Sequence, residues 1–172
     1  KYGTGRIIIK GGRITAEGGV YWVSGVTDYQ GGAGIGTGLY GIGGTIEILG
    51  GRITATGGKQ TGAGIGGGAG GSVDTIVIGG IELNDVTKEV TLDGDKVQLT
   101  RTEYDILKLL MQHPGQVFSP NEIYEKVWND NPFRNENTVA VHIRHLREKV
   151  EYNPAEPRHL KVVWGRGYKM EV

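Results

Sequence analysis

Asn137, Val141, Arg144, His145 and Glu148 fall on one side of a 3.6-residue period, with Thr138, His142 and Arg147 on its flanks. Amide, methyl, imidazole and guanidinium groups side by side suit the base edges of a DNA major groove. There Arg grips guanine through two hydrogen bonds, Asn pairs with adenine, and a small apolar group meets the thymine methyl. Taken alone, the same face would serve an ordinary solvated amphipathic helix. Further on, Gly165-Arg166-Gly167 joins two alternating segments, 159–164 and 168–172, so a hairpin would carry one cation at its tip. A minor groove, with its negative potential, favours arginine there. Lys161 and Lys169 on the hairpin strands suit phosphates, contacts that position without specifying sequence. Other chemistry is poorly supplied. The chain has no cysteine, which removes thiolate nucleophiles, disulfides and Cys-based zinc sites. His113, His142, His145 and His159 have no nucleophile or convincing ligand partner, and the His142/His145 pair reads better as groove contact than as a metal pair. No catalytic residue, metal or cofactor is expected, and the chain does not read as an enzyme.

These side chains need a scaffold, and residues 75–172 provide one. Ile76/Ile78, Ile81/Leu83, Val90/Leu92 and Val97/Leu99 alternate with polar residues, and Asp93-Gly94 marks a tight turn, which predicts a small antiparallel sheet. Thr100-Arg-Thr-Glu103 is a capping box opening a helix that runs to Pro114-Gly115, and Ser119-Pro-Asn-Glu122 is a second with proline at the first helical position. Residues 129–136 read as a loop. A third helix starts near Asn135 or Asn137, either of which could cap it, and runs to about Val150. Its Val139, Ile143, Leu146 and Val150 occupy a narrow sector that must face a core. The expectation is an α+β winged helix-turn-helix: sheet, three helices, hairpin wing.

Composition sets this half apart. Of 32 glycines, 28 lie in residues 1–80. Net charge is zero, yet residues 81–136 carry six basic and eleven acidic side chains against seven basic and three acidic in 137–169. A local basic stretch beside an acidic body can orient a polyanion. The apolar runs are too short to span a bilayer, and no signal peptide opens the chain. A start at Lys1 rather than Met reads as a fragment or a processed form.

The glycine-rich part repeats. Arg6-Ile-Ile-Ile-Lys-Gly-Gly-Arg-Ile-Thr-Ala returns 39 residues later as Thr45-Ile-Glu-Ile-Leu-Gly-Gly-Arg-Ile-Thr-Ala, and Gly32-Ala-Gly-Ile-Gly36 returns 30 later as Gly62-Ala-Gly-Ile-Gly66. The first unit thus holds nine extra residues, including Val20-Tyr-Trp-Val23. Short alternating strands parted by Gly-Gly suit the coils of a parallel β-solenoid, each burying its face on the next. Gly62-Ala-Gly-Ile-Gly-Gly67 also fits G-x-G-x-x-G, but no helix follows to meet a pyrophosphate. Calcium-binding repeats are equally unfitting, since these turns lack the aspartate. The expected division is a solenoid-like segment at 1–74 and a winged helix at 75–172. Thr75-Ile-Val-Ile-Gly-Gly80 reads both as a third repeat strand and as the first strand of the following sheet.

Residues 6–80 resemble glycine-rich repeats of surface proteins of Gram-positive bacteria, a likeness that implies a parallel β-helix and a carbohydrate or cell-wall ligand. "LTRTEYDILKLL", "GQVFSPNEIYEKVW", "NTVAVHIRHLREKV" and "VVWGRGYKMEV" together resemble the OmpR/PhoB family of response-regulator effector domains, in particular its vancomycin-resistance branch. That resemblance implies a cytoplasmic transcription regulator of two-component type, binding double-stranded DNA at tandem direct repeats as a head-to-tail dimer. It places Asn137, Thr138, Val141, His142, Arg144, His145 and Arg147 against DNA, with Arg166 in the wing. It makes Trp128 and the loop holding Asn129, Asp130, Asn131, Phe133 and Arg134 a contact for phosphate or RNA polymerase. Asn137 and His145 stand where some members carry arginine. The family's receiver domain has no counterpart here, since residues 1–80 hold only Glu17, Asp28, Glu47 and Asp74 as acids and no helical period. The alternative is a surface-binding β-solenoid fused to a structural winged helix.

Overall fold

The computed structural model describes residues 5–21, 30–38, 40–58, 62–130 and 136–172. In the glycine-rich part, sequence period becomes strand register. Strand β1 (Arg6–Ile9) pairs in parallel with β6 (Thr45–Ile48), Arg6 opposite Thr45, and β2 (Arg13–Glu17) pairs with β7 (Arg52–Thr56), Arg13 opposite Arg52. Both offsets are those of the repeated sequence. β5 (Ile35–Gly36) pairs with β8 (Ile65–Gly66), and β6 pairs with β9 (Thr75–Ile78), Thr45 opposite Thr75. The insertion lies within a segment bracketed by an antiparallel pair, β3 (Val20–Tyr21) with β4 (Gln30–Gly31), and the parallel ladders keep the register of the repeats.

Alternation explains the packing. Ile46, Ile48, Ile53, Ala55, Ile65, Ile76 and Ile78 point inward and are buried, whereas Ile7 and Ile8 on the edge strand β1, paired on one side, remain 40 % and 44 % exposed. Glycine is required where coils approach most closely. At Gly36 the φ of +141° is one that L side chains rarely adopt, and a Cβ would collide with the Gly66 carbonyl.

The third strand changes the architecture. Gly12 and Gly51, the second glycines after β1 and β6, adopt φ of +96° and +107° and turn a corner; after β9 both Gly79 (+54°) and Gly80 (+91°) are left-handed. Two consecutive positive φ values make a tight hairpin. The chain therefore reverses into β10 (Ile81–Asn84), with Ile81 opposite Ile78. β11 (Glu89–Leu92) and β12 (Asp95–Val97) follow, linked by left-handed Asp93 (φ 51°) and Gly94 (φ 92°). The expected antiparallel sheet is present but is only part of a six-stranded mixed sheet, ordered β1-β6-β9-β10-β11-β12. Leu99, expected in its last strand, lies beyond β12.

Three helices follow. α1 (Arg101–Gln112) carries the complete Thr100/Glu103 capping box, and α2 (Pro120–Trp128) the Ser119/Glu122 box, with Asn129 in the left-handed C-cap. α3 spans Glu136–Val150. Asn137 therefore lies inside the helix and does not cap it, while Asn135 lies outside the described residues. β13 (Leu160–Val163) and β14 (Gly167–Met170) form the terminal hairpin. Ile106, Leu107, Leu110, Met111, Ile123, Val139, Ile143, Leu146, Val150, Leu160 and Met170 bury themselves among these elements, and one contiguous apolar cluster links them to Ile9, Ile46 and Ile53. Among the described residues no helix is long and apolar enough to cross a membrane.

The end of α1 closes the repeat stack. In the first coil Gly34 donates its N–H to Ala63 of the next; its counterpart Gly64 has no further coil beneath it and donates instead to His113 Nδ1 at 3.2 Å. Burial, with a smaller contribution from the Lys126 ammonium, lowers the His113 pKa from 6.5 to about 4. The unfolded chain takes up this proton near pH 6.5 and the folded chain only near 4. Stability from this site is therefore full above pH 6.5 and is lost as pH falls toward 4, by up to about 3 kcal/mol. Urea denaturation across that window should show the slope in the native chain and a flatter one in His113→Gln.

Candidate nucleic-acid interface

Packing decides which faces of α3 are free. Val139, Ile143, Leu146 and Val150 are buried against α1 and α2, as their spacing predicts. Asn137, Val141, Arg144, His145 and Glu148 are exposed and Thr138 is half-buried. Val141 is a β-branched side chain 49 % open to water on a helix surface, an apolar group with no fold partner to explain it. Arg144 extends from the same face, its Nε 3.0 Å from Glu148 Oε1. Exposed pairs of this kind are weak, on the order of 0.3–0.5 kcal/mol. The guanidinium is therefore available to a stronger acceptor.

Two flank residues expected to contact DNA are turned inward. Arg147 donates from Nε and Nη2 to the Leu160 carbonyl, at 3.0 and 2.7 Å, and so pins the end of α3 to the first strand of the hairpin. Its position on the sequence period, next to the core sector, is what allows this. His142 packs beside Trp128, with ring centroids 5.6 Å apart, and its Nδ1 is buried. Trp128 in turn stacks on Tyr124 at 4.7 Å and packs against the core, so its ring is a brace between α2 and α3 and not a free loop residue. Asn129 and Asp130 are exposed. Asn131, Phe133 and Arg134 lie outside the described residues.

The hairpin presents a basic edge. Lys161 and Lys169 sit directly opposite each other, and Lys169 Nζ lies 3.1 Å from Glu171 Oε1. Arg166 is exposed in the turn between Gly165 (φ +68°) and Gly167 (φ +142°), where its N–H donates to the Val163 carbonyl. The hairpin is held to the start of α2 by reciprocal hydrogen bonds between Phe118 and Tyr168. A Cβ at Gly167 would collide with the Phe118 carbonyl, whereas Gly165 opens into free space. Gly165→Ala should therefore destabilise the chain by about 1–2 kcal/mol through its positive φ alone, and Gly167→Ala, strained and also clashing, by about 1–3 kcal/mol more, as measured by urea denaturation. Trp164, 92 % exposed beside Arg166, and Val162, 48 % exposed two residues earlier, extend this edge. Sequence reasoning passed over both, although their alternation with Lys161 and Val163 places them on one strand face.

Glu103 is the other residue missed. It was read only as a cap, yet it is buried and its Oε2 accepts from Lys149 Nζ at 2.7 Å as well as from the Thr100 N–H at 2.8 Å. Burial alone would raise its pKa, but these hydrogen bonds and the Lys149 charge outweigh burial and hold the carboxyl below the usual value.

Comparison with known proteins agrees with this geometry. Residues 94–170 match the family described as "Transcriptional regulatory protein, C terminal". The regulatory protein VanR of Enterococcus faecium is 40 % identical over 99 residues, covering 57 % of this chain and 43 % of VanR. The chain spans about two fifths of the length of the curated relatives it matches. Among solved structures, the DNA-binding domain of RstA from Klebsiella pneumoniae in complex with the RstA box is similar over 56 % of this chain and 96 % of that one, at 29 % identity and a TM-score of 0.53. The DNA-binding domain of CpxR from E. coli is similar over 56 % and 95 %, at 32 % identity and a TM-score of 0.51. The winged helix expected from the motifs is thus the observed fold. Through residues 94–170, the chain belongs to the C-terminal domain family of transcriptional regulatory proteins, of OmpR/PhoB type.

Proposed function

We propose that this chain is a sequence-specific reader of duplex DNA acting in transcription regulation. The observation that carries the proposal is the exposed face of α3, where Asn137, Val141, Arg144 and His145 stand clear of the core while the opposite face is fully buried. Thr138 borders that face, Arg166 supplies the wing contact, and Lys161 and Lys169 engage phosphate. His142 and Arg147 support the helix from behind. The RstA domain, similar over nearly its whole length, was solved in complex with its box. Tandem direct repeats about 10 bp apart, a head-to-tail dimer, RNA polymerase at the loop after Trp128 and a cytoplasmic setting belong to the same proposal. They rest on the family resemblance.

Selection of bound sequences from a random duplex pool tests the proposal. A recurring bipartite motif, with affinity falling steeply as salt rises, is the expected result. Retention of no sequence above nonspecific competitor DNA would overturn it.

For residues 1–74 we infer coils of a parallel β-solenoid, followed by the winged helix at 75–172, whose first strand, β9, also pairs with the coils. Four parallel strand pairings whose registers equal the repeat offsets support this reading.

A further inference from the structure

The packing of α1 on α3 brings Glu103, His142 and His145 together, with one donor atom of each within 4.8 Å of the other two. We propose that this trio is a binding site for a divalent transition-metal ion of the zinc class.

As a pair three residues apart on one helix, His142 and His145 are a weak signal. The fold supplies the third group, from the first turn of a helix far away in sequence. The Glu103 side chain is 3 % exposed; Oε2 is occupied by Thr100 and Lys149, while Oε1 faces His145 Nδ1 at 3.9 Å. A second observation is independent of the carboxylate. Nδ1 of His142 is buried and makes no hydrogen bond among the described residues, an arrangement folded proteins rarely leave unanswered.

Two imidazoles and one carboxylate are the donor set of open zinc sites, with water in the fourth position. Imidazole nitrogen selects zinc, copper or nickel over calcium and magnesium. Zinc bonds of about 2.0–2.2 Å require donors closer together than the present spread. The ring able to move is His145, whose side chain is 48 % exposed and open to water. Lys149 is the competitor, since its ammonium holds the same carboxylate. Metal entry must displace or share that bond, which limits affinity and gives the proposal a distinctive signature. Where the chain reads DNA as proposed above, drawing His145 toward Glu103 would also remove it from the exposed face of α3.

The test is a Co2+ titration of the full chain at neutral pH without DNA, followed by visible ligand-field absorption, with Zn2+ added to displace the cobalt. One equivalent should bind. His145→Gln, at a half-exposed position that leaves the fold intact, should weaken binding at least tenfold, and His142→Gln should do the same. Lys149→Met should tighten it several-fold, and His113→Gln should leave it unchanged. Absence of saturable binding, or binding equal in native chain and His145→Gln, overturns the proposal. Because no duplex is present, a failure of the DNA reading leaves this result unaffected. Zn2+ shifting duplex affinity in the native chain but not in His145→Gln would add regulation to the site.

Discussion

Arg144→Ala is expected to weaken binding to the selected duplex by about 1–3 kcal/mol, roughly ten- to a hundredfold, and to relax preference at the base pair it contacts. In the free protein this guanidinium rests on Glu148, 3.0 Å away, with both side chains open to water. Opening so weak a pair costs little. A bidentate contact with guanine then replaces it in a partly desolvated groove, where charge-assisted hydrogen bonds are stronger. Glu148→Gln should accordingly leave affinity unchanged or raise it modestly, because it removes a negative charge from the same face. Lys10→Ala, exposed in the glycine-rich part, should have no measurable effect. Fluorescence anisotropy on one duplex and its single-base variants checks all three. If Arg144→Ala and Lys10→Ala behaved alike, α3 would not be the reading element.

Ile78→Ala should produce the largest stability loss, about 2–5 kcal/mol, as expected for a large aliphatic side chain deleted from a packed interior. Ile78 is fully buried on β9, opposite Ile48 on one side and Ile81 on the other. Among the described residues no other strand joins the parallel ladder to the antiparallel one. The loss should therefore appear in a single cooperative transition, with helical and strand signals in circular dichroism falling together. Ile7→Ala, on the half-exposed outer strand, should cost well under half as much. Two separated transitions, with the mutation moving only the first, would contradict the shared-strand interpretation.

Much of the fold was legible because its signals are local. Both capping boxes, the Asp93-Gly94 turn and the core stripe of α3 depend on residues within a few positions of one another, and the repeat offsets alone gave strand register. Signals that depend on distant partners were not legible. Arg147 lies at the edge of the core sector, and only the approach of β13 brings the Leu160 carbonyl within its reach. Trp128 ends α2 and its inward packing follows from helical spacing, but that His142 on α3 closes over it depends on a distant partner. Gly79-Gly80 looks the same as the earlier Gly-Gly pairs, and one additional positive φ turns a corner into a reversal. Glu103 reads as a complete cap in sequence, and nothing local reveals that its carboxylate also faces α3.

The strand that closes one ladder and opens the other also has a mechanical meaning. Tension between the glycine-rich coils and a winged helix held on DNA would load β9 lengthwise, so that its hydrogen bonds to β6 and β10 share the force in shear instead of parting one at a time. Such a joint transmits both pull and twist. Twisting of the glycine-rich part would pass through β9 to α1, which packs on the same strand.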